Sequence, residues 1–314
     1  MFKFKSPKKE TLELMSKVIK ENDNTDYNEL CINEIKNLTT KDEVKITSSG
    51  NNSIFIALSS VEGDIIVPDQ GGWHGFKQIG KFLNKNILPV KTDLGLINID
   101  YLNDLDINDN SALIFTSFAG YTAEQNIKSI CKFCKNNGIL SIEDASAGIG
   151  DKYQLGKHSD IIIASTGSPK MINVGYGGFI ASNREEILKN TKIAQKLSKT
   201  SNIISAGIYS ELKTVAKNLE DTVNATQHIK KNINNTIHTN KRGVNVIIPH
   251  SNSKSICWNL KNKLTINKKS FITNCPNYNR IKQKAVCVEI KNLDYSCLKK
   301  ENLNKIIEEI KNQL

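Results

Sequence analysis

The chain has 314 residues, of which 39% are hydrophobic and 24% are charged, enough for one large and one smaller domain. No apolar run approaches the roughly 18 residues of a membrane helix, and no apolar signal core follows the basic N-terminus, so we expect a cytoplasmic protein that needs no membrane. The net charge of +11 comes mostly from lysines spread along the whole chain, so RNA binding is an open but disfavoured possibility.

The seven cysteines do not indicate a disulfide framework. Cys131 and Cys134 form a lone C-x-x-C in a helical pattern, with no second pair at ligand spacing. We therefore predict no metal site.

The first two thirds of the chain alternate between helical and strand patterns. Apolar spacing predicts helices over 9–20 and 27–38, and then a strand and a Ser-Gly-Asn turn that opens a helix ending near residue 58. Strands are predicted over 62–70, 86–93, 111–120, 139–148, 159–166 and 177–182, with a helix over 125–138. Buried strands separated by helices predict an α/β domain with a mainly parallel sheet.

The rest of the chain predicts a connection and a second domain. Residues 184–235 have helical patterns, followed by predicted strands over 243–249 and 284–290 and helices over 253–264 and 299–314. We predict a large domain over 1–190, a helical connection over 191–235 and a small C-terminal α/β domain over 236–314.

Polar and glycine-rich segments follow the predicted strands. In open α/β sheets, ligands bind at the carboxyl ends of the strands. We therefore expect a common site formed by residues 48–53, 69–73, 117–120, 144–148 and 165–170.

Two of these residues have the chemistry of a pyridoxal 5′-phosphate (PLP) site. Asp144 follows a buried strand, where a carboxylate needs a partner; a protonated pyridine nitrogen is one partner and a helix N-terminus is the alternative. Lys170 lies in a Ser/Thr/Gly/Pro loop between two apolar strands, where its amine could form an imine with the cofactor aldehyde. Burial and a cationic ring would both lower the pKa of this amine.

Other residues could hold the rest of such a cofactor. Ser49, Gly50 and Asn51 open a helix, whose N-terminus attracts phosphate. The hydroxyl of Ser165 could add a phosphate contact, as could that of Thr166. An aromatic ring could stack on the pyridine, and the candidates are Trp73 and His74, with Trp73 favoured.

The order of these parts resembles the fold-type-I PLP enzymes, and most closely the DegT-like aminotransferases. The matching segments are Gly63 to Pro68, Glu143-Asp144-Ala145, Ser165 to Lys170 and the closing Gly-Gly-Phe-Ile at 177–180. The resemblance implies the aspartate-aminotransferase-like fold, with a large, mainly parallel domain and a small C-terminal α/β domain.

The resemblance also implies residue roles. Lys170 would be the Schiff-base lysine, Asp144 the partner of the pyridine nitrogen, and Ser165, Gly50 and Asn51 phosphate contacts. It implies a homodimer with sites at the subunit interface. The sequence departs from the family at Ala147, where a glutamine usually bonds the ring oxygen of the cofactor.

The leading hypothesis is transfer of an amino group from an amino-acid donor to a keto acceptor, with a sugar as one candidate acceptor. Arg280, or else Arg242, would bind the donor carboxylate. One alternative is a PLP-dependent sulfur or selenium transferase, or an enzyme acting on aminoacyl-tRNA, with Cys275 in a loop as nucleophile. Another is a non-catalytic regulator that has kept the PLP fold.

Overall fold

The computed structural model describes residues 2–20, 24–266 and 269–314. Most α-helices lie where the apolar spacing predicts them, and Gly75–Phe82 is a helix that was not predicted. The helices are α1 Lys9–Lys20, α2 Tyr27–Thr39, α3 Gly50–Ser59, α4 Gly75–Phe82, α5 Ile99–Asn103, α6 Ile127–Asn136, α7 Glu185–Asn190, α8 Lys192–Leu197, α9 Asn202–Leu212, α10 Val215–Asn232, α11 Ser253–Lys263 and α12 Lys300–Lys311.

Most strands are shorter than the runs that predict them, because residues at the ends of these runs lie in the adjoining loops. They are β1 Glu43–Thr47, β2 Ile65–Pro68, β3 Ile87–Val90, β4 Thr92–Asp93, β5 Leu96–Ile97, β6 Ala112–Thr116, β7 Phe118–Ala119, β8 Ala123–Glu124, β9 Leu140–Asp144, β10 Ile161–Ser165, β11 Gly178–Ser182, β12 Val246–Pro249, β13 Thr265–Ile266, β14 Lys269–Ser270, β15 Ile272–Cys275 and β16 Ala285–Val288.

A seven-stranded sheet has the order β1-β11-β10-β9-β6-β2-β3. The neighbours from β10 to β3 are parallel, and β11 runs antiparallel to both β10 and β1. The predicted α/β fold with a mainly parallel sheet is therefore confirmed.

The two faces of this sheet form separate cores, because successive side chains of a strand point to opposite sides. In β10, for example, Ile162 packs into the core with α2 and α6, whereas Ile161 and Ile163 pack into the core with α3 and α4. In β9, Asp144 shares the α3 side of the strand with Ile142, and Glu143 points to the other side.

A second sheet, with the antiparallel order β12-β16-β15, forms the C-terminal core together with α11 and α12. Strand β15 was not predicted, because its polar Thr273 and Asn274 interrupt the apolar alternation. The domain boundaries at 190 and 236 stay predictions. Within the described ranges, no helix combines the length and the apolar character needed to cross a bilayer.

Candidate active site

The predicted strand ends meet at one edge of the seven-stranded sheet. Asp144 ends β9 and Ser165 ends β10, and the parallel register pairs Ile163 with Asp144. Helix α3 begins beside them at Gly50. A Cβ atom on Gly50 would lie 2.5 Å from the Cβ of Ser165, so only glycine lets the helix approach the strand end this closely.

A cavity of about 360 Å³ lies at this edge. Its lining includes seven of the predicted site residues, which come from four separate segments of the chain: Ser49, Gly50, Asn51, Trp73, Asp144, Ser165 and Lys170.

One end of the cavity is suited to an anion. The N-cap of α3 is Ser49, whose hydroxyl accepts a hydrogen bond from the backbone N–H of Asn52 at 3.2 Å. The first N–H groups of a helix have no partner within it, and the helix dipole adds partial positive charge. Ser165 lies against this turn, and its hydroxyl accepts from the N–H of Gly167 at 3.2 Å, which leaves its own proton to donate.

The carboxylate of Asp144 forms the acidic wall of the cavity. Asp144 is 8% exposed, and its Oδ1 accepts from the backbone N–H of Ser146 at 2.9 Å. This bond fixes the side chain at the strand end. The indole of Trp73 forms another wall, held by a 3.2 Å hydrogen bond from its Nε1 to the side-chain oxygen of Asn51.

The amine of Lys170 lies between two aromatic rings. Its Nζ is 5.9 Å from the centre of the Trp73 ring and 3.5 Å from the hydroxyl of Tyr121. Burial lowers the pKa of Lys170, but the negative charges of the Tyr121 phenolate and the Asp144 carboxylate outweigh burial and raise the pKa above its usual value. Burial acts on this pKa in the expected direction, and the contact with Tyr121 is a feature that the sequence analysis did not anticipate.

These groups fit PLP. An amine, a carboxylate, an indole face and a helix N-terminus with serine hydroxyls line one cavity. They match in turn the aldehyde, the pyridine nitrogen, the ring face and the phosphate of the cofactor.

Four other candidates do not line the cavity. The His74 ring packs edge-on against Tyr278, 5.8 Å between centres, and the Thr166 hydroxyl donates to the carbonyl of Tyr176. Arg242 is ion-paired with Glu124 and Asp151. Arg280 donates to both oxygens of Glu289, at 2.9 and 2.8 Å, although its guanidinium also faces the Tyr121 ring. The substrate-binding roles of the two arginines stay predictions.

The prediction that Cys275 lies in a loop is wrong. Cys275 is the last residue of β15, pairs in register with Ala285 and is fully buried. Burial raises the pKa of its thiol. A buried, protonated thiol is a poor nucleophile, so the geometry gives the sulfur-transfer alternative no support.

Sequence reasoning missed Tyr121 and Ser146. Ser146 lines the cavity, and its hydroxyl accepts from the N–H of Ser165 at 2.8 Å, which joins two strand ends. Tyr121 directly follows the segment 117–120, which was already considered as a strand end. An aromatic residue next to Gly120 was the available signal.

Glu143 makes the stability of the protein depend on pH. Its carboxyl is fully buried and accepts from the Ser117 hydroxyl at 2.6 Å and the Gly156 N–H at 2.8 Å. Burial outweighs these bonds and raises its pKa to about 7. Between pH 4.5 and 7 this carboxyl therefore binds more protons in the folded protein than in the unfolded chain, so its contribution to stability falls as the pH rises through this range.

We expect Glu143→Gln to remove this pH dependence. The loss in the wild type between pH 4.5 and 8 should reach up to about 3 kcal/mol, seen as a fall in melting temperature. The exposed Glu185→Gln is the control and should leave the wild-type slope unchanged. An equally steep slope in Glu143→Gln would contradict the assignment.

Comparison with known proteins places the fold in a family. The model of the DegT/DnrJ/EryC1/StrS aminotransferase family matches residues 13–220, more than half of the chain. The model of the MJ1341 family C-terminal domain matches residues 216–311. Among curated proteins, no sequence matches this chain.

Solved structures of low sequence identity share the fold. PseC from Helicobacter pylori, an aminotransferase involved in the biosynthesis of pseudoaminic acid, is 14% identical with a TM-score of 0.75, covering 99% of this chain and 98% of its own. A DegT/DnrJ/EryC1/StrS aminotransferase from Brucella abortus is 12% identical with a TM-score of 0.74, covering 96% and 94%. NtdA from Bacillus subtilis, solved with the bound cofactor PMP, is 16% identical with a TM-score of 0.72, covering 96% and 81%.

The fold and the family match define a PLP-dependent transferase of fold type I. The chain belongs to the DegT/DnrJ/EryC1/StrS aminotransferase family, and its cofactor is pyridoxal 5′-phosphate. The predictions of family, enzyme class and cofactor are thereby confirmed.

Proposed function

We propose that this enzyme transfers an amino group from an amino-acid donor to a keto acceptor, and that Lys170 is the residue that holds the cofactor. The main support for this proposal is that the Lys170 amine, the Asp144 carboxylate and the N-terminus of α3 line one cavity. Bound PLP supplies an aldehyde that condenses with an amine and a ring that withdraws electrons from the substrate carbon.

Each residue has a separate role in this proposal. Asp144 keeps a negative charge next to the pyridine nitrogen, Trp73 covers one ring face, and Ser49, Gly50, Asn51 and Ser165 hold the phosphate. Lys170, once released from the cofactor, moves a proton to and from the substrate carbon as general base and acid. The register of β9 with β10 and the hydrogen bond from the Ser146 N–H hold the Asp144 carboxylate in place for this role.

The acceptor class is proposed from the comparison with known structures. A keto sugar is the acceptor class that we propose, supported by the fold shared along nearly the whole length of PseC. A screen of amino donors, followed by keto sugars and keto acids as acceptors, separates this acceptor class from the others.

The test of the Lys170 assignment is chemical trapping. The purified protein with PLP is reduced with borohydride, and we expect the pyridoxyl group on the peptide that contains Lys170. Lys170→Ala should lose both the trapped adduct and at least about 10³-fold in activity. The matched control is Lys132→Ala, at an exposed lysine of α6, and it should keep both the adduct and the activity. An adduct on any lysine other than Lys170 would overturn the assignment.

We further propose a homodimer with the active site near the subunit interface. The large side chain of Tyr176, six residues after Lys170 in the chain, is 72% exposed and supports this proposal. Sedimentation should give twice the mass of 35.0 kDa. A monomer at working concentration would contradict this proposal.

A further inference from the structure

Tyr121 has a backbone conformation that a tyrosine rarely adopts. Its φ is +64°, in the left-handed region, where a residue with a side chain is strained by about 1 kcal/mol or more. Its carbonyl oxygen accepts hydrogen bonds from the N–H groups of Val244 and Asn245, at 2.8 and 2.9 Å. These bonds tie the loop to the C-terminal part of the chain and hold the strained residue in place.

The strained backbone places the phenol among three cations. The hydroxyl oxygen is 3.5 Å from the Nζ of Lys170. The ring centre is 4.6 Å from the guanidinium carbon of Arg280 and 4.8 Å from the Nζ of Lys291. Tyr121 is 7% exposed, so water screens these charges little.

Two carboxylates also belong to this cluster. Glu289 is almost fully buried and accepts from Arg280, and it lies 3.5 Å from the Nζ of Lys291. Asp144 acts on Lys170 from the end of β9. Three cations and two carboxylates leave one uncompensated positive charge, which an ionised phenol would neutralise.

The shift in the pKa of Tyr121 agrees with this excess of positive charge. Burial raises the pKa of the phenol, but Lys170, Lys291 and Arg280 together outweigh burial and lower it below its usual value. The Asp144 carboxylate opposes these cations. Tyr121 thus lies closer to ionisation than a tyrosine in water.

We propose that Tyr121, presented by a strained loop, is the proton partner of Lys170 and accepts the proton that the Lys170 ammonium gives up. This rests on the proposed role of Lys170 as the amine that holds the cofactor. The phenolate oxygen accepts a proton from the Lys170 ammonium: one N–H bond breaks, one O–H bond forms, and the pair keeps its total charge. The amine then has a free electron pair without releasing a proton to solvent.

The coupling is measured on the full chain after hydroxylamine and dialysis have removed the cofactor. Trace acetylation over a range of pH, quantified by mass spectrometry of the Lys170 peptide, gives the midpoint at which this amine loses its proton. We expect Tyr121→Phe to move the midpoint to lower pH, because the ring stays and only the phenolate, whose negative charge favours the Lys170 ammonium, is lost. Lys132 in the same digest is the internal reference, and Tyr153→Phe, at a tyrosine that is 72% exposed, is the matched control that should move nothing.

The reciprocal measurement stays available if Tyr121→Phe does not fold. Coupling between two sites is mutual, so Lys170→Met must move ionisation of Tyr121 to higher pH, read from tyrosinate absorbance. An unmoved Lys170 midpoint in folded Tyr121→Phe, or an unmoved tyrosinate midpoint in Lys170→Met, overturns the proposal. If these midpoints do not move but the pyridoxyl adduct still forms on Lys170, only the role of Tyr121 is refuted. If the adduct forms on another lysine, the proposed function is refuted.

Discussion

Replacing Asp144 with asparagine should lower kcat by about 10²- to 10³-fold while the protein still binds the cofactor. The amide has the shape of the carboxylate, and its oxygen can still accept the hydrogen bond from the Ser146 N–H. It carries no charge, however, so it cannot hold a proton on the pyridine nitrogen. Without that proton the ring withdraws electrons from the substrate carbon less well.

The chain offers a matched control one residue away. Glu143→Gln makes the same chemical change on the other side of β9, where the carboxyl bonds to Ser117 and Gly156. This variant should remove the pH dependence of stability described above and leave kcat within about twofold of the wild-type value. Activity is measured as conversion of the cofactor to its amine form by the donor, at saturating donor. If both variants lost activity equally, the charge of Asp144 would not be the cause.

The fold and the residues that meet at the edge of the sheet could be predicted, because both depend on local sequence patterns. Short β-branched runs such as Ile161 to Ala164 favour buried strands, and Gly50 lies at the start of a helix and Ser165 at the end of a strand. Parallel strands bring their carboxyl ends together, so Asp144 and Ser165 meet although 20 residues separate them. The choice between Trp73 and His74 depended on the start of α4, which the sequence pattern did not reveal.

The environment of the amine could not be predicted, because it depends on contacts between distant segments. Tyr121 reaches Lys170 across 49 positions of sequence, and Arg280 comes from the connection between β15 and β16. Arg280 pairs with Glu289, a contact that the sequence pattern did not indicate. No spacing rule predicts such pairs, since both residues look like ordinary charges in the sequence.

Lys230→Met should destabilise the folded protein by about 2 kcal/mol, because it removes a donor from three carbonyl groups, of which that of Thr122 is buried. Lys230 is fully buried in α10, and its Nζ donates to the carbonyl oxygens of Thr122, His238 and Lys241 at 2.6, 2.9 and 3.0 Å. Burial lowers the pKa of this amine to about 8, so at pH 7 it still carries three N–H donors for three acceptors.

The neighbouring Lys231 is exposed, so Lys231→Met removes the same charge without removing these bonds. We expect the melting temperature of Lys230→Met to fall by roughly 5 °C and that of Lys231→Met to change by less than about 1 °C. Because Thr122 directly follows Tyr121, Lys230→Met should also move the Lys170 acetylation midpoint in the same direction as Tyr121→Phe. A Lys230→Met protein as stable as the Lys231→Met control would mean that the Thr122 carbonyl finds another donor, and that Lys230 does not hold the loop that presents Tyr121.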